Sequence, residues 1–399
     1  MPYYIGDVIR DEKKLVARTP EKFRESGVDV RISTRVEEID LKAAKIRLAD
    51  GSAQPYDILV LGTGTVPIRP EIPGLDLPGV FGLKKLEDAL AIKAYIGEKA
   101  CRKAVIVGAG FIAMEMCEAL RMRGIETTVL HRGNLPVKRW NAEFGKLIVA
   151  ELEKNGITFL CNVETRAIEK GENHPLHLVT DKGDFDADLI LIAVGVRPDA
   201  ALAKASGIPL GKTGAVAVDF SQKAGVEGVY AAGDCCESYH RVSGRWVSVP
   251  LGDIANKQGR VAGANIGGAP MIFPGIVGAQ SFRVFGLEVA AAGLNEREAV
   301  SAGYHPVSAL VWGNAIAGSM PGSKKVGVRL TADRATGKLL GAQALGEAGA
   351  VSRINTLACA LWAGLGIDEI GYLDLAYAPP FSPSWDPIHV AAQTLRRSM

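Results

Sequence analysis

Apolar and polar positions fall into three regimes along the chain. In the middle, short apolar runs alternate with stretches of helical spacing. Ala104–Val107 reads as a buried strand, Phe111–Arg123 as a helix closed by Gly124, and Thr127–Leu130 as the next strand. Leu189–Val194 is a further apolar strand, stopped by Gly195-Val196-Arg197-Pro198. Strand, helix and strand in this order predict a parallel sheet with right-handed crossovers. Before this region, Val28–Leu48 alternates through Val30, Ile32, Ile46 and Leu48, which predicts half-exposed strands. Tyr56–Leu61 is a continuous apolar run, expected to be a buried strand ending at the Gly62-Thr63-Gly64 turn. Pro67–Pro70 and Pro73–Pro78 make an extended connector, and Leu86, Ala89, Leu90 and Lys93 follow helical spacing. After the middle region come a strand at Val229–Ala232 and a helix at Ala255–Asn265. From about residue 290 the pattern turns antiparallel. Val326–Leu330 and Leu339–Leu345 flank an Asp333–Gly337 turn, and a small-residue helix covers Val351–Ala363, so a separate α+β domain is expected.

The composition narrows the function classes. A chain of 399 residues exceeds one typical core, so two or three domains are expected. The net charge of +2 points neither to nucleic acid nor to an anionic membrane surface. No apolar run is long enough to span a bilayer, and Met1–Asp11 has no signal-peptide pattern. The six cysteines show no metal-ligand spacing and lie in core-forming stretches, which argues for a soluble protein of the reducing cytoplasm and for no metal. The 46 glycines fit tight turns and close approaches to a ligand.

Gly108-Ala109-Gly110-Phe111-Ile112-Ala113 lies between a buried strand and an amphipathic helix. Gly108 makes the tight turn, Gly110 lets a pyrophosphate approach the backbone, and Ala113 lets the helix pack on the strand. The helix N-terminus then offers free N–H groups to the phosphates. The end of the next strand holds His131-Arg132, where an NAD site usually has an acid. A cation there suits the extra phosphate of NADPH. Glu115, one turn into the helix, is as readily a helix-dipole partner as a functional group. A second signal is Gly228-Val229-Tyr230-Ala231-Ala232-Gly233-Asp234, an apolar strand ending in a glycine and a carboxylate that can accept hydrogen bonds from hydroxyls.

Taken together, these blocks resemble the pyridine nucleotide-disulfide oxidoreductases, in particular their coenzyme A-disulfide reductase and NADH oxidase branch. Tyr56–Gly64, Ile72-Pro73-Gly74-Leu75, Leu86-Glu87-Asp88, Gly195–Pro198, Ala231–Asp234, Leu251–Arg260 and Tyr377-Ala378-Pro379-Pro380-Phe381 occur in the family's order over nearly the whole chain. The resemblance implies an α/β fold of FAD- and NAD(P)-binding Rossmann-like domains with a C-terminal α+β dimerisation domain. It implies a FAD-binding domain at 1–84 and 213–288, an NAD(P)-binding domain at 85–212 and a dimerisation domain at 289–399. It places FAD at Thr63, Gly64, Gly233, Asp234, Leu251, Gly252 and Ala255, and NADP(H) or NAD(H) at Gly108, Gly110, Ala113, Glu115, His131, Arg132 and Gly195. It puts Asn256 and Trp385 beside a small-molecule disulfide, and Tyr377 at the active centre across a homodimer.

Three departures qualify the resemblance. The family's opening βαβ unit with its own Gly-x-Gly-x-x-Gly is not in this sequence, which leads to the expectation of a poorly stable chain that holds FAD weakly. The redox cysteine of the branch would fall just upstream of Met1, and none of the six cysteines replaces it by position. Ser319-Met320 and Trp385 stand where a tyrosine pair and a lysine are expected, which counts against coenzyme A as substrate. Adjacent Cys235-Cys236 reads as packing rather than as a substitute redox pair. Three activities therefore stay open: reduction of a disulfide or persulfide, an oxidase or flavin reductase reaction, and nucleotide binding without catalysis.

Overall fold

The computed structural model describes residues 1–399, which divide into two compact units. The first comprises Met1–Asp11, Pro67–Gly195 and Val277–Met399; the second comprises Glu12–Val66 and Val196–Ile276.

The first unit contains the expected parallel sheet. Its five strands run in the order Val80–Phe81, Leu189–Ile192, Lys103–Val107, Glu126–His131 and Ile157–Cys161, and every neighbouring pair is parallel. Ala104, Val105, Ile106, Leu189, Ile190 and Leu191 are buried, because a parallel sheet is covered on both faces. The helix Phe111–Met122 follows the central strand and buries Met114, Cys117 and Leu120 completely. Gly124 ends its last turn at φ +74°, the left-handed conformation that glycine supplies without penalty. The same unit holds a five-stranded antiparallel sheet, ordered Gln280–Val284, Leu287–Gly293, Leu339–Gly346, Lys325–Asp333 and Pro306–Asn314. The helices Ala350–Ala363 and Pro387–Arg397 pack on it.

In the second unit, Leu59–Leu61 pairs in parallel with Val229–Ala231, and Leu61 stands opposite Ala231. The pair covers a core that includes Ile39, Val216, Val218, Ala224 and Cys235. The helix Gly252–Ile266 completes this region, three residues longer at its start than the periodicity predicts.

The pattern misplaces three features. Tyr56–Leu61 is not a continuous buried strand: only Leu59–Leu61 is extended, and Ile58 and Val60 are 42% and 47% exposed. A strand turns alternate side chains to opposite faces, and only the Leu59 and Leu61 face meets the core. Val30 and Ile32 lie outside any strand, Ile32 being 64% exposed. The strands form later, at Val36–Asp40, Lys45–Leu48 and Ala53–Pro55, where each finds an antiparallel neighbour for its backbone groups. Cys161 and Cys359 are exposed, contrary to the reading of all six cysteines as core; Cys101, Cys117, Cys235 and Cys236 are buried. No helix is long and apolar enough to cross a membrane.

Candidate active site: two glycine turns and two open helix ends

The first candidate site lies wholly in the first unit. Lys103–Val107 runs into Gly108 at φ +112°, a region that side chains with a Cβ rarely enter. A Cβ on Gly108 would stand 2.3 Å from the Ala193 carbonyl oxygen, so only glycine fits between these backbones. Gly110 occupies the N-cap of the helix Phe111–Met122 without donating or accepting through a side chain, and a Cβ there would meet nothing within 4 Å. The space around Gly110 is therefore open, and the helix begins with N–H groups that no side chain caps. Ala113 is fully buried against the sheet, as the close helix–strand packing requires.

His131 ends the strand next to Gly108, whose N–H donates to the Leu130 carbonyl at 2.9 Å. Burial, reinforced by the adjacent Arg132 charge, holds the His131 imidazole below its ordinary value, against the opposing pull of the Leu135 backbone carbonyl. Arg132 is exposed. Gly195, at φ +114°, follows the neighbouring strand Leu189–Ile192. Glu115 lies on the inner turns of the helix, and burial raises its carboxyl, with Glu118 adding to the rise and the N-terminal ammonium opposing it. Of the seven residues expected to bind a nicotinamide nucleotide, Gly108, His131, Arg132 and Gly195 lie at or just past the carboxyl ends of three neighbouring parallel strands, and Gly110 opens the helix. Ala113, by contrast, is buried in the packing, and Glu115 lies a turn further along, near Met1 and Glu118.

The second candidate site lies wholly in the second unit. Because Leu59–Leu61 and Val229–Ala231 run in parallel register, Thr63-Gly64 and Gly233-Asp234 leave the same end of the pair. The Thr63 hydroxyl donates to the Asp199 carbonyl, and Asp199 N–H donates to the Gly64 carbonyl at 2.9 Å. Gly233 is at φ +88°, and a Cβ there would meet the Ala255 Cβ at 3.3 Å. The helix Gly252–Ile266, with Leu251 as N-cap and Asn256 in its second turn, also starts without a side-chain cap. Sequence reasoning did not single out Gln258. It is fully buried, accepts the Gly233 N–H at 2.9 Å and donates to the Ser238 hydroxyl at 3.0 Å, tying the helix to the glycine turn. Its position three residues after Ala255 on the same helical face is the signal that could have found it.

Cys235 and Cys236 are 0% and 3% exposed and belong to the apolar core. The Cys235 Sγ–H donates to the Leu61 and Ala232 carbonyls and the Cys236 Sγ–H to the Gly233 carbonyl. The closeness of the two side chains draws the Cys235 thiol down, to about 6, and pushes the Cys236 thiol up. Tyr377 and Trp385 stand on the surface of the C-terminal region, 56% and 55% exposed, and the Trp385 ring lies near Tyr372 and His389.

Residues 3–259 match the model of the pyridine nucleotide-disulphide oxidoreductases, and residues 279–387 match that family's dimerisation domain. The chain belongs to the pyridine nucleotide-disulphide oxidoreductases. Among its relatives is an NAD(P)H sulfur oxidoreductase (CoA-dependent) of Pyrococcus furiosus, 36% identical over 98% of this chain and 89% of that protein. An NADH oxidase of Methanocaldococcus jannaschii is 32% identical over 98% of this chain and 88% of that protein. The solved structure of an NAD-dependent persulfide reductase from A. fulgidus superposes with a TM-score of 0.95 at 32% identity, covering all of this chain and 75% of that one. The α/β architecture, with Rossmann-like parallel strands and a C-terminal dimerisation domain, is that of an oxidoreductase in this family. Both glycine turns fall within the oxidoreductase match, and the exposed aromatic segment falls within the dimerisation match.

Proposed function

We propose that this chain is a flavin-dependent NAD(P)H oxidoreductase that reduces a small disulfide or persulfide. The observation that carries the reading is that two long helices, Phe111–Met122 and Gly252–Ile266, both begin uncapped beside a glycine turn. Helix ends ordinarily recruit Ser, Thr, Asp or Asn to satisfy their N–H groups, so two that do not are prepared for external acceptors. The turn at Gly108–Ala113 would take the pyrophosphate of the nicotinamide nucleotide, with His131, Arg132, Glu115 and Gly195 around it. Thr63, Gly64, Gly233, Asp234, Leu251, Gly252 and Ala255 would hold FAD. The turn fits that group because Gly233 has no Cβ to fill the approach and the neighbouring helix end is open. When bound, FAD would supply two-electron chemistry between a reduced nicotinamide and a disulfide or persulfide acceptor. The positive end of the helix Gly252–Ile266 would favour negative charge close to its first turn.

The proposal includes a homodimer in which Tyr377 reaches the partner's site, Asn256 and Trp385 beside the substrate, and three domains at 1–84 with 213–288, 85–212 and 289–399. The persulfide and sulfur reductases among its relatives support the acceptor class. The NADH oxidase relative keeps oxygen as a second acceptor to be tested.

The deciding experiment is the visible spectrum of the purified chain, followed by anaerobic addition of NADPH. The reading expects a flavin spectrum that bleaches, then recovers on addition of a disulfide with release of thiol. Recovery with oxygen alone and no thiol would favour the oxidase; a colourless protein would overturn the flavin assignment.

Arg132 sets the expected choice of nucleotide. Arg132→Asp should lower kcat/KM for NADPH about tenfold to a hundredfold, the worth of a charge-assisted bond to phosphate, and leave NADH nearly unchanged. An unaltered NADPH-to-NADH ratio would remove Arg132 from the 2′-phosphate site.

A further inference from the structure

Between the strand Glu126–His131 and the helix Ala142–Lys154, residues 132–141 do not run free over the surface. Val137 donates its N–H to the Ala109 carbonyl, inside the Gly108–Gly110 turn, at 2.9 Å. It does so at φ +46°, an uncommon conformation for a β-branched residue, and its side chain is buried. Strain of this kind persists only where the surroundings over-determine it.

Those surroundings belong to the C-terminal sheet. Arg139 pairs with Glu298 at 3.1 Å and donates to the Gly293 carbonyl. The Arg139 carbonyl accepts from the side chains of Gln343 at 3.1 Å and Asn295 at 3.2 Å. Gln343 also accepts the Asn141 N–H at 2.7 Å, so one buried amide grips the segment on both sides of Trp140. The Trp140 ring meets Phe111 and Phe282 edge-on, at 5.3 and 5.4 Å, and Phe111 stacks on Phe282 at 4.8 Å. Phe111 is the first residue of the helix whose open end faces the candidate nucleotide site.

We infer that Arg139, Trp140 and Gln343 are positioning residues for the nicotinamide nucleotide. They hold segment 132–141 against the C-terminal sheet, and through Val137 and Phe111 that segment holds the Gly108–Gly110 turn and the helix end in the arrangement a pyrophosphate needs. This rests on the reading of that turn as the nucleotide site. The three residues touch the turn only through other groups, so they govern affinity without contacting the nucleotide. Because the pyrophosphate is common to NADH and NADPH, loosening the segment weakens both alike, unlike a change at Arg132.

The test uses the full chain with Gln343→Leu and, separately, Arg139→Met, comparing dissociation constants for NADPH and NADH by calorimetric titration with melting temperatures. Gln343→Leu keeps the side chain's bulk and removes both bonds to the segment. Each variant should weaken both nucleotides by about threefold to tenfold, the worth of one or two hydrogen bonds, at an unchanged NADPH-to-NADH ratio. Arg139→Lys, which keeps the Glu298 partner, should recover part of the loss. Lower melting temperatures with unchanged dissociation constants would mean a purely structural segment and overturn the inference. A loss confined to NADPH would also overturn it, since the effect would then lie at the 2′-phosphate. Failure of the unsubstituted chain to bind either nucleotide would overturn the site reading, and the inference with it.

Discussion

Gly108→Ala is expected to abolish measurable nucleotide binding and to destabilise the fold by several kcal/mol. Two effects add. The new Cβ would lie 2.3 Å from the Ala193 oxygen and 2.7 Å from its carbonyl carbon, backbone atoms that cannot swing aside. That is overpacking, typically worth about 1–3 kcal/mol. The residue would also have to hold φ +112°, and strain in such sparsely populated regions is of order 1–3 kcal/mol. Relief requires the turn to move away from the strand Leu189–Ile192, which displaces the helix end proposed to face the phosphates. Gly110→Ala is the matched control. Its Cβ meets nothing within 4 Å and its φ of −83° suits alanine, so stability should hold while affinity falls, because the methyl would stand where the pyrophosphate is proposed to approach. Melting curves and nucleotide titrations of the two variants separate the cases. Unchanged affinity in both would show that this turn does not hold the nucleotide.

Arg353→Met should destabilise the C-terminal region by about 3–5 kcal/mol, the usual consequence of removing one member of a buried ion pair. Arg353 and Asp386 are 6% and 8% exposed and meet through two bonds, at 3.1 and 2.7 Å. The guanidinium also donates to the carbonyls of Gly349 and Ala315, at 3.0 Å each. Asp386 accepts from the Ser382 hydroxyl and caps the helix Pro387–Arg397 through the Ile388 N–H. The pair therefore fastens the chain immediately before that helix, where Trp385 is presented, to the helix Ala350–Ala363. With arginine gone, the Asp386 charge stays buried with fewer donors. Replacing both residues by apolar side chains of similar bulk should recover much of the loss, since neither desolvated charge then remains. Denaturant unfolding of the single and double variants checks this. A single-variant loss under about 1 kcal/mol would place the pair in effective contact with solvent.

Much of the fold was legible in local pattern. Buried parallel strands are short apolar runs, and the crossover helix shows the 3.6-residue spacing; both signals are carried by neighbours in the chain. The Asp333–Gly337 hairpin and the helix Ala350–Ala363 were legible for the same reason. The errors fell where burial depends on a distant partner. Tyr56–Leu61 is apolar throughout, yet Ile58 and Val60 face outward because only one side of that strand pair meets the core. Cys161 and Cys359 sit among apolar neighbours in the chain and are exposed nonetheless.

The chemistry of the candidate sites divides the same way. Gly108, Gly110, Ala113, His131 and Arg132 could be proposed as a nucleotide site from the chain alone, because a glycine turn between strand and helix is a local device with a recognisable spacing. So could Gly233 and Asp234. Gln258, Val137, Arg139, Trp140 and Gln343 could not. Gln258 acts on Gly233 from 25 residues away, and Gln343 grips Asn141 from 202 residues away. Hydrogen bonds over such separations leave no period and no spacing in a sequence, since either partner is an ordinary polar residue until the fold buries it. The parallel strands, the glycine turns and the family follow from residues close together in the chain. Which buried amides and cations hold those turns in place depends on partners that only folding brings within bonding distance.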